Sequence, residues 1–254
     1  MYPYRTRFAK DIVTEFLPPL KKRRQKKDRV IIYCGGMPGG PARHERMEFY
    51  AKKGFWIFVP RYRGTWESGG RFLRQSPEKD IKDVINGLFL GFTEAFAHKK
   101  FRIRKNAQIY LFGSSFGGPA AILGSRDSRV AKAVAFSPVA DWKDLTHHGE
   151  TNAWTERFTR EAFGEAYRFS HNDWKKFDGG RFYNPMAETK SIDGKKILIF
   201  HAKNDKVVPW RPTAKLARLT GATLKLYARG GHSPSAWFTR TPFTKRIIKF
   251  LREK

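Results

Sequence analysis

The chain holds a single cysteine, Cys34, in 254 residues. No internal disulfide is possible, which fits a reducing compartment, and the expected location is the cytoplasm. Acid is also scarce: 23 Asp plus Glu stand against 51 Lys plus Arg, a formal net charge of +28. Nowhere is there a run of the roughly 18 apolar residues that a membrane helix needs. The first residues are interrupted by Arg5, Arg7, Lys10, Asp11 and Glu15, so they offer no signal-peptide core, and no membrane association is expected. There is no internal repeat. No pair of its seven histidines has convincing metal-ligand spacing with a cysteine or carboxylate, so neither a metal nor a cofactor is expected.

What is present is a globular composition, 40% hydrophobic and 15% aromatic with 22 Phe. No composition break divides it, so residues 1–254 are expected to form one domain, long enough to bury a substantial core. The excess of positive charge must attract polyanions at low salt. Its densest run, Lys21-Lys22-Arg23-Arg24-Gln25-Lys26-Lys27, has the composition of a nucleic-acid patch or a nuclear address. It lies between the apolar stretches Ile12 to Phe16 and Val30 to Tyr33, where a solvated loop joining two strands has the same composition. The remaining basic residues are scattered, which favours a generally cationic surface with non-specific polyanion binding at low salt.

Short apolar runs alternate with segments of helical period, the pattern of a parallel sheet with crossover helices. Strands are expected at Val30 to Tyr33, Phe55 to Val59, Ala107 to Phe112, Val130 to Phe136, Lys196 to Phe200 and Ala222 to Tyr227. Residues 42–53 carry Met47, Tyr50 and Ala51 on one face and end at Gly54, a helix with a glycine C-cap. Ser76 and Pro77 open a long amphipathic helix through Ile81, Val84, Ile85, Leu88, Phe92 and Phe96. A last helix is expected over about 236–251. Residues from about Asp141 to Gly194 break the rhythm with ten Trp, Phe and Tyr residues between Trp142 and Tyr183. That stretch is too long for a simple crossover and suggests a helical cap or lid, or aromatic packing onto the sheet.

The chemistry centres on Gly113-Ser114-Ser115-Phe116-Gly117-Gly118, directly after an expected strand and before a helix whose first turn holds Pro119. Gly-x-Ser-x-Gly in that setting is the nucleophile elbow of α/β-hydrolases, in which small residues two before and two after the serine let a strained turn close. Ser115 is the candidate nucleophile. A serine hydroxyl needs a base, and the base needs a carboxylate to hold its tautomer. His232, in Gly230-Gly231-His232-Ser233-Pro234, and Asp205, just past the penultimate strand, follow in the chain order expected for this fold. His201 is better suited to structural packing. An oxyanion needs two donors; Phe116 N–H would be one. Gly36, in a glycine pair that permits close backbone approach, would be the other, with Met37 as the neighbouring possibility.

These residues resemble the catalytic domain of the prolyl oligopeptidase family of serine peptidases, within the α/β-hydrolase superfamily. The resemblance runs from about Arg29 to the C-terminus. It rests on Cys34-Gly35-Gly36, Tyr62-Arg63-Gly64-Thr65 with Ser68-Gly69-Gly70, the elbow itself, Ser137-Pro138-Val139-Ala140-Asp141-Trp142, Asp205 with Val208-Pro209, and Gly231-His232. It implies an α/β-hydrolase fold, a mostly parallel central sheet flanked by helices with a helical cap insertion. It implies that Arg63-Gly64 braces the active-site loops, and that the enzyme is a serine hydrolase acting through an acyl-enzyme on small peptides. Ester substrates, as for a carboxylesterase, are the alternative, since the same triad hydrolyses both; a basic nucleic-acid-binding protein is a further one. Only about 28 residues precede the first matching strand, so the β-propeller of well-known members is not expected. In several members a tyrosine just before the paired glycines donates to the oxyanion. Here Cys34 takes that place, and Tyr33, one position earlier, falls on the opposite face of the strand.

Overall fold

The computed structural model describes residues 2–20, 26–39, 44–144, 152–232 and 238–253. Among the described residues, ten strands and seven helices follow one another as β1 (Tyr4–Phe8), β2 (Ile12–Leu17), β3 (Arg29–Cys34), α1 (His44–Ala51), β4 (Trp56–Pro60), α2 (Pro77–Leu90), β5 (Phe92–Thr93), β6 (Lys100–Phe101), β7 (Gln108–Ser114), α3 (Gly117–Gly124), β8 (Val130–Phe136), α4 (Asn152–Phe163), α5 (His171–Trp174), β9 (Ile197–Ala202), α6 (Trp210–Thr220), β10 (Thr223–Tyr227) and α7 (Phe243–Arg252). Eight strands form one sheet in the order β1-β2-β4-β3-β7-β8-β9-β10. Pairing is parallel from β4 to β10, while β2 joins β4 and β1 joins β2 antiparallel. This is the α/β-hydrolase architecture, with its mostly parallel central sheet flanked by helices.

The two-residue period of the strands divides the core. From β7, Ile109 and Leu111 enter one apolar cluster together with Ile81, Val84 and Leu88 of α2 and Ala120 and Ile122 of α3. Tyr110 and Phe112 enter the other, with Met47 and Tyr50 of α1 and Ile247 and Phe250 of α7. The same alternation puts Cys34 in the first cluster and Tyr33 against the second, as a one-residue step along a strand requires.

Two sequence expectations are corrected, and one strand had not been expected. The amphipathic period of α2 continues on paper through Phe92 and Phe96, but the helix stops at Leu90, where Gly91 takes φ 98°. Phe92 then starts a two-residue strand paired with Phe101 and is buried, while Phe96 lies 93% exposed. The last helix starts only at Phe243, after Pro242; residues 238–242 precede it, and the part of the expected span at 236–237 lies outside the described residues, as do residues 42–43 of the first helix. Strand β1 was not expected: Tyr4, Thr6 and Phe8 alternate with Arg5 and Arg7, and Tyr4 pairs with Phe16 at the sheet edge. Lys21 to Gln25 of the basic run also lie outside the described residues. No described helix is long and apolar enough to cross a membrane.

Candidate active site

Ser115 sits between the end of β7 and the start of α3 with φ +52°, a conformation that is costly for a residue bearing a β-carbon. The turn holds because its neighbours are glycines. A β-carbon at Gly113 would lie 2.2 Å from Gly117 O, and one at Gly117 would lie 2.1 Å from Cys34 O. The Ser115 N–H bonds Phe136 O at 2.9 Å, and its carbonyl accepts from Gly118 N at 2.9 Å and Val139 N at 3.3 Å. The elbow is thereby fixed to the neighbouring strand as well as to its own helix.

His232 Nε2 lies 3.1 Å from Ser115 Oγ, and His232 Nδ1 lies 2.9 Å from Asp205 Oδ2. The structure thus brings together the three side chains that the sequence separates by up to 117 positions. Asp205 is buried; its other oxygen, Oδ1, accepts the backbone N–H groups of Val207 and Val208 at 2.9 and 3.0 Å. Burial works against the ionised carboxylate, but hydrogen bonds from His201, His232 and the Val208 N–H outweigh it and hold Asp205 well below the usual carboxylate range. An ionised Asp205 only accepts, so Nδ1 of His232 carries the proton and the Nε2 lone pair faces the serine hydroxyl. The loop bearing His232 is tied to the loop bearing Asp205, because Asn204 Oδ1 accepts the Gly231 N–H at 2.9 Å.

His201 is fully buried, as packing would have it, yet both its nitrogens are engaged. Nε2 lies 3.0 Å from Val208 O and 3.4 Å from Asp205 Oδ2, and Nδ1 lies 3.1 Å from Thr213 Oγ1.

Gly36 approaches the elbow closely: a β-carbon there would lie 3.5 Å from Ser115 Cβ. Phe116 follows Ser115 at the start of α3. Among the described residues neither the Gly36 nor the Phe116 N–H has a hydrogen-bond acceptor. The peptides around them are held by tyrosines that the sequence did not single out for this role. Tyr62 donates to Gly35 O at 3.3 Å, and Tyr183 donates to Phe116 O at 2.7 Å while accepting the Ala120 N–H at 3.0 Å. Farther along the glycine loop, Gly39 N–H bonds the Tyr167 phenol at 2.8 Å and Gly39 O accepts Trp66 Nε1 at 2.6 Å. Tyr167 and Tyr183 belong to the aromatic segment between β8 and β9, where an aromatic-rich composition hides which rings carry a specific hydrogen bond.

Arg63 is clamped by Asp11, Asp80 and Asp83, and Gly64 has φ +72° with Phe72 N only 1.9 Å from where a β-carbon would be. The Arg63-Gly64 turn therefore connects β1–β2, α2 and the aromatic segment, whose Arg168 N–H bonds Gly64 O at 2.8 Å. Tyr33 donates to or accepts from Ser114 Oγ at 2.7 Å, not Ser115. Ser115 and His232 open onto a cavity of about 520 Å³ whose lining includes Met47, Tyr50, Phe112 and Phe238.

No curated protein matches this sequence. Among solved structures, an esterase of Pyrococcus furiosus is similar with a TM-score of 0.69 and 16% identity, over 99% of this chain and 91% of that one. An acylaminoacyl peptidase of Pyrococcus horikoshii gives a TM-score of 0.64 and 16% identity, over 98% of this chain but 39% of that one. An α/β-hydrolase from the metagenome of lagoon sediments at Mar Chica, Morocco, gives 0.60 and 14%, over 96% and 95%. These likenesses carry the fold. Residues 42–253 match the prolyl oligopeptidase family, the span that holds the elbow, the Asp205 loop and the His232 loop, and the chain belongs to the prolyl oligopeptidase family of serine hydrolases.

Proposed function

We propose that the protein is a peptidase or aminoacyl-peptide hydrolase of small peptides, with Ser115 as nucleophile, His232 as base and acid, Asp205 as its orienting carboxylate, and the Phe116 and Gly36 N–H groups as oxyanion donors. The observation that carries this reading is the continuous contact Ser115 Oγ to His232 Nε2 to Asp205 Oδ2, at 3.1 and 2.9 Å. As the serine oxygen attacks the substrate carbonyl, its proton passes to His232 Nε2, and the imidazolium that forms is stabilised by ionised Asp205. Negative charge moves to the carbonyl oxygen, between the two backbone donors. Collapse of the tetrahedral intermediate expels the amine, which takes the proton from His232 and leaves an acyl-Ser115 ester. Water, deprotonated by the same histidine, then releases the acid.

A carboxylesterase is the second reading, favoured by the likeness over nearly the full length of both chains to an esterase. Residues 1–254 would act as one domain, with the aromatic segment at about 141–194 capping the site, in the cytoplasm. Polyanion binding at low salt would accompany the charge. The experiment that decides substrate class is kcat/KM on ester and amide pairs sharing one acyl group. Ser115-dependent amide cleavage supports the peptidase reading; ester cleavage with no amide cleavage across a broad aminoacyl panel assigns a carboxylesterase.

A further inference from the structure

The cavity that Ser115 opens onto runs inward between α1 and the sheet. Strand β3 supplies Ile31 to its lining, β4 supplies Ile57 and Val59, β7 supplies Phe112, and α1 supplies Met47 and Tyr50. The strand period explains the apolar face: Ile57 and Val59 are two residues apart, and Ile31 pairs with Ile57 beside it. Tyr50 offers only its ring, because its hydroxyl donates to Phe238 O at 2.7 Å. A core packed for its own sake leaves few voids larger than a water molecule. A cavity of about 520 Å³ that reaches these side chains has the size of a ligand pocket.

The polar side chains of the lining are engaged within the protein. Tyr33 Oη and Ser114 Oγ are 2.7 Å apart, Arg46 interacts with the Tyr33 phenol, and Arg61 pairs with Glu15 at 2.9 Å and with Glu67. Thr65 donates to Tyr62 O, and Trp66 and Tyr167 both bond Gly39. The inner end therefore offers a substrate hydrocarbon surface. Its depth follows from strand register. Ile31 lies beside Tyr110 of β7, four residues before Ser114, which is about 13 Å along a strand. No described residue earlier than Ile31 in β3 or Ile57 in β4 lines the cavity, so this pair is its floor. A carbon–carbon contact distance of about 4 Å leaves about 9 Å, and an extended chain that advances about 1.25 Å per carbon fills it with about seven carbons.

We propose that this inner end is the acyl pocket, and that the enzyme takes esters or amides of linear, uncharged acyl groups of about six to eight carbons. This rests on the reading of Ser115 as nucleophile and deepens it by naming the acyl class. The leaving group must lie beside His232 Nε2 to take its proton, so it stays at the mouth. The acyl chain runs the other way, along β3 and β7 toward Ile31 and Ile57. Val59, partway along, sets the width of the pocket, and Ile57 sets its length.

The test is a series of 4-nitrophenyl esters from acetate through butanoate, hexanoate, octanoate and decanoate to dodecanoate, each rate taken after subtracting that of Ser115→Ala. The expected kcat/KM rises about two- to fourfold per buried methylene, peaks at hexanoate or octanoate, and falls at dodecanoate. Val59→Phe, which blocks the pocket short of its floor, moves the peak to butanoate, and Ile57→Ala, which opens the floor, moves it to decanoate. Phe158→Ala, on α4 of the aromatic segment, leaves the profile unchanged. In butanoate esters of ethanol through octanol, lengthening the alcohol brings no such rise. A wild-type profile that is flat, or that still climbs at dodecanoate, overturns the pocket with no variant needed to decide. So does a peak that stays in place in folded Val59→Phe, that Phe158→Ala abolishes, or that follows the alcohol. No turnover of any ester while a fluorophosphonate still labels Ser115 overturns the pocket and leaves the nucleophile standing; no turnover and no adduct overturns both.

Discussion

Tyr62 gives its phenolic hydrogen to the carbonyl of Gly35, and the amide on the far side of that same peptide plane is the Gly36 N–H. In a trans peptide the two point in opposite directions. Holding the carbonyl toward buried Tyr62 therefore turns the N–H away from it, and drawing electron density to the carbonyl oxygen makes the N–H a better donor. Tyr183 braces the other half of the proposed oxyanion site through Phe116 O.

Tyr62→Phe is expected to lower kcat about five- to tenfold with KM little changed, since the lost hydrogen bond is worth about 1 kcal/mol and acts on a donor used in the transition state. The affinity for a boronic acid analogue should fall in parallel. Loss of KM alone, or no kinetic change, would show that the phenol serves packing only.

The elbow glycines give a stability prediction. Gly117→Ala places a methyl 2.1 Å from Cys34 O, against backbone that cannot swing aside, whereas Gly35→Ala meets nothing within 4 Å. The first should cost on the order of 1–3 kcal/mol or more and the second about 0.5 kcal/mol or less, as measured by urea unfolding. Equal midpoints for the two variants would contradict the packing described for the elbow.

How much of this was legible beforehand depends on the range of the signal. The elbow, the strands and the order Ser115, Asp205, His232 are written in local pattern, and the glycines at 113 and 117 carry the steric reason on their own. Hydrogen bonds such as Tyr62 to Gly35, Phe116 to Tyr183 and Gly39 to Tyr167 span 27, 67 and 128 positions, and no periodicity encodes them. In the aromatic segment every ring is equally apolar on paper. Helix α2 looks longer than it is because Phe92 continues the apolar stripe, but burial of Phe92 is met by a strand pair after Gly91. Edge strand β1 was hidden by its arginines, which face outward while Phe8 packs on Phe58 and Phe92.

Asp205 links activity to pH. Its carboxyl is held well below the ordinary value, so the unfolded chain binds that proton more readily than the folded one. The stabilisation is fully present above the unfolded value near 4 and is lost as pH falls through the folded pKa. The difference in unfolding free energy between the protein and Asp205→Asn should be constant from about pH 5 upward and narrow below about pH 4. At neutral pH the variant should lose roughly 10⁴ in kcat, because an amide at that position favours the wrong imidazole tautomer. A stability gap that widens on acidification would reverse the sign and contradict the assignment.

Ser115 is proposed as the nucleophile of an acyl-transfer site. Its most direct test is labelling with a fluorophosphonate, followed by mass spectrometric location of the adduct and comparison with Ser115→Ala. A single adduct on Ser115 is expected and, in the variant, no labelling and a loss of turnover on the order of 10⁶. An adduct on another serine, or an alanine variant that retains full activity, would contradict it.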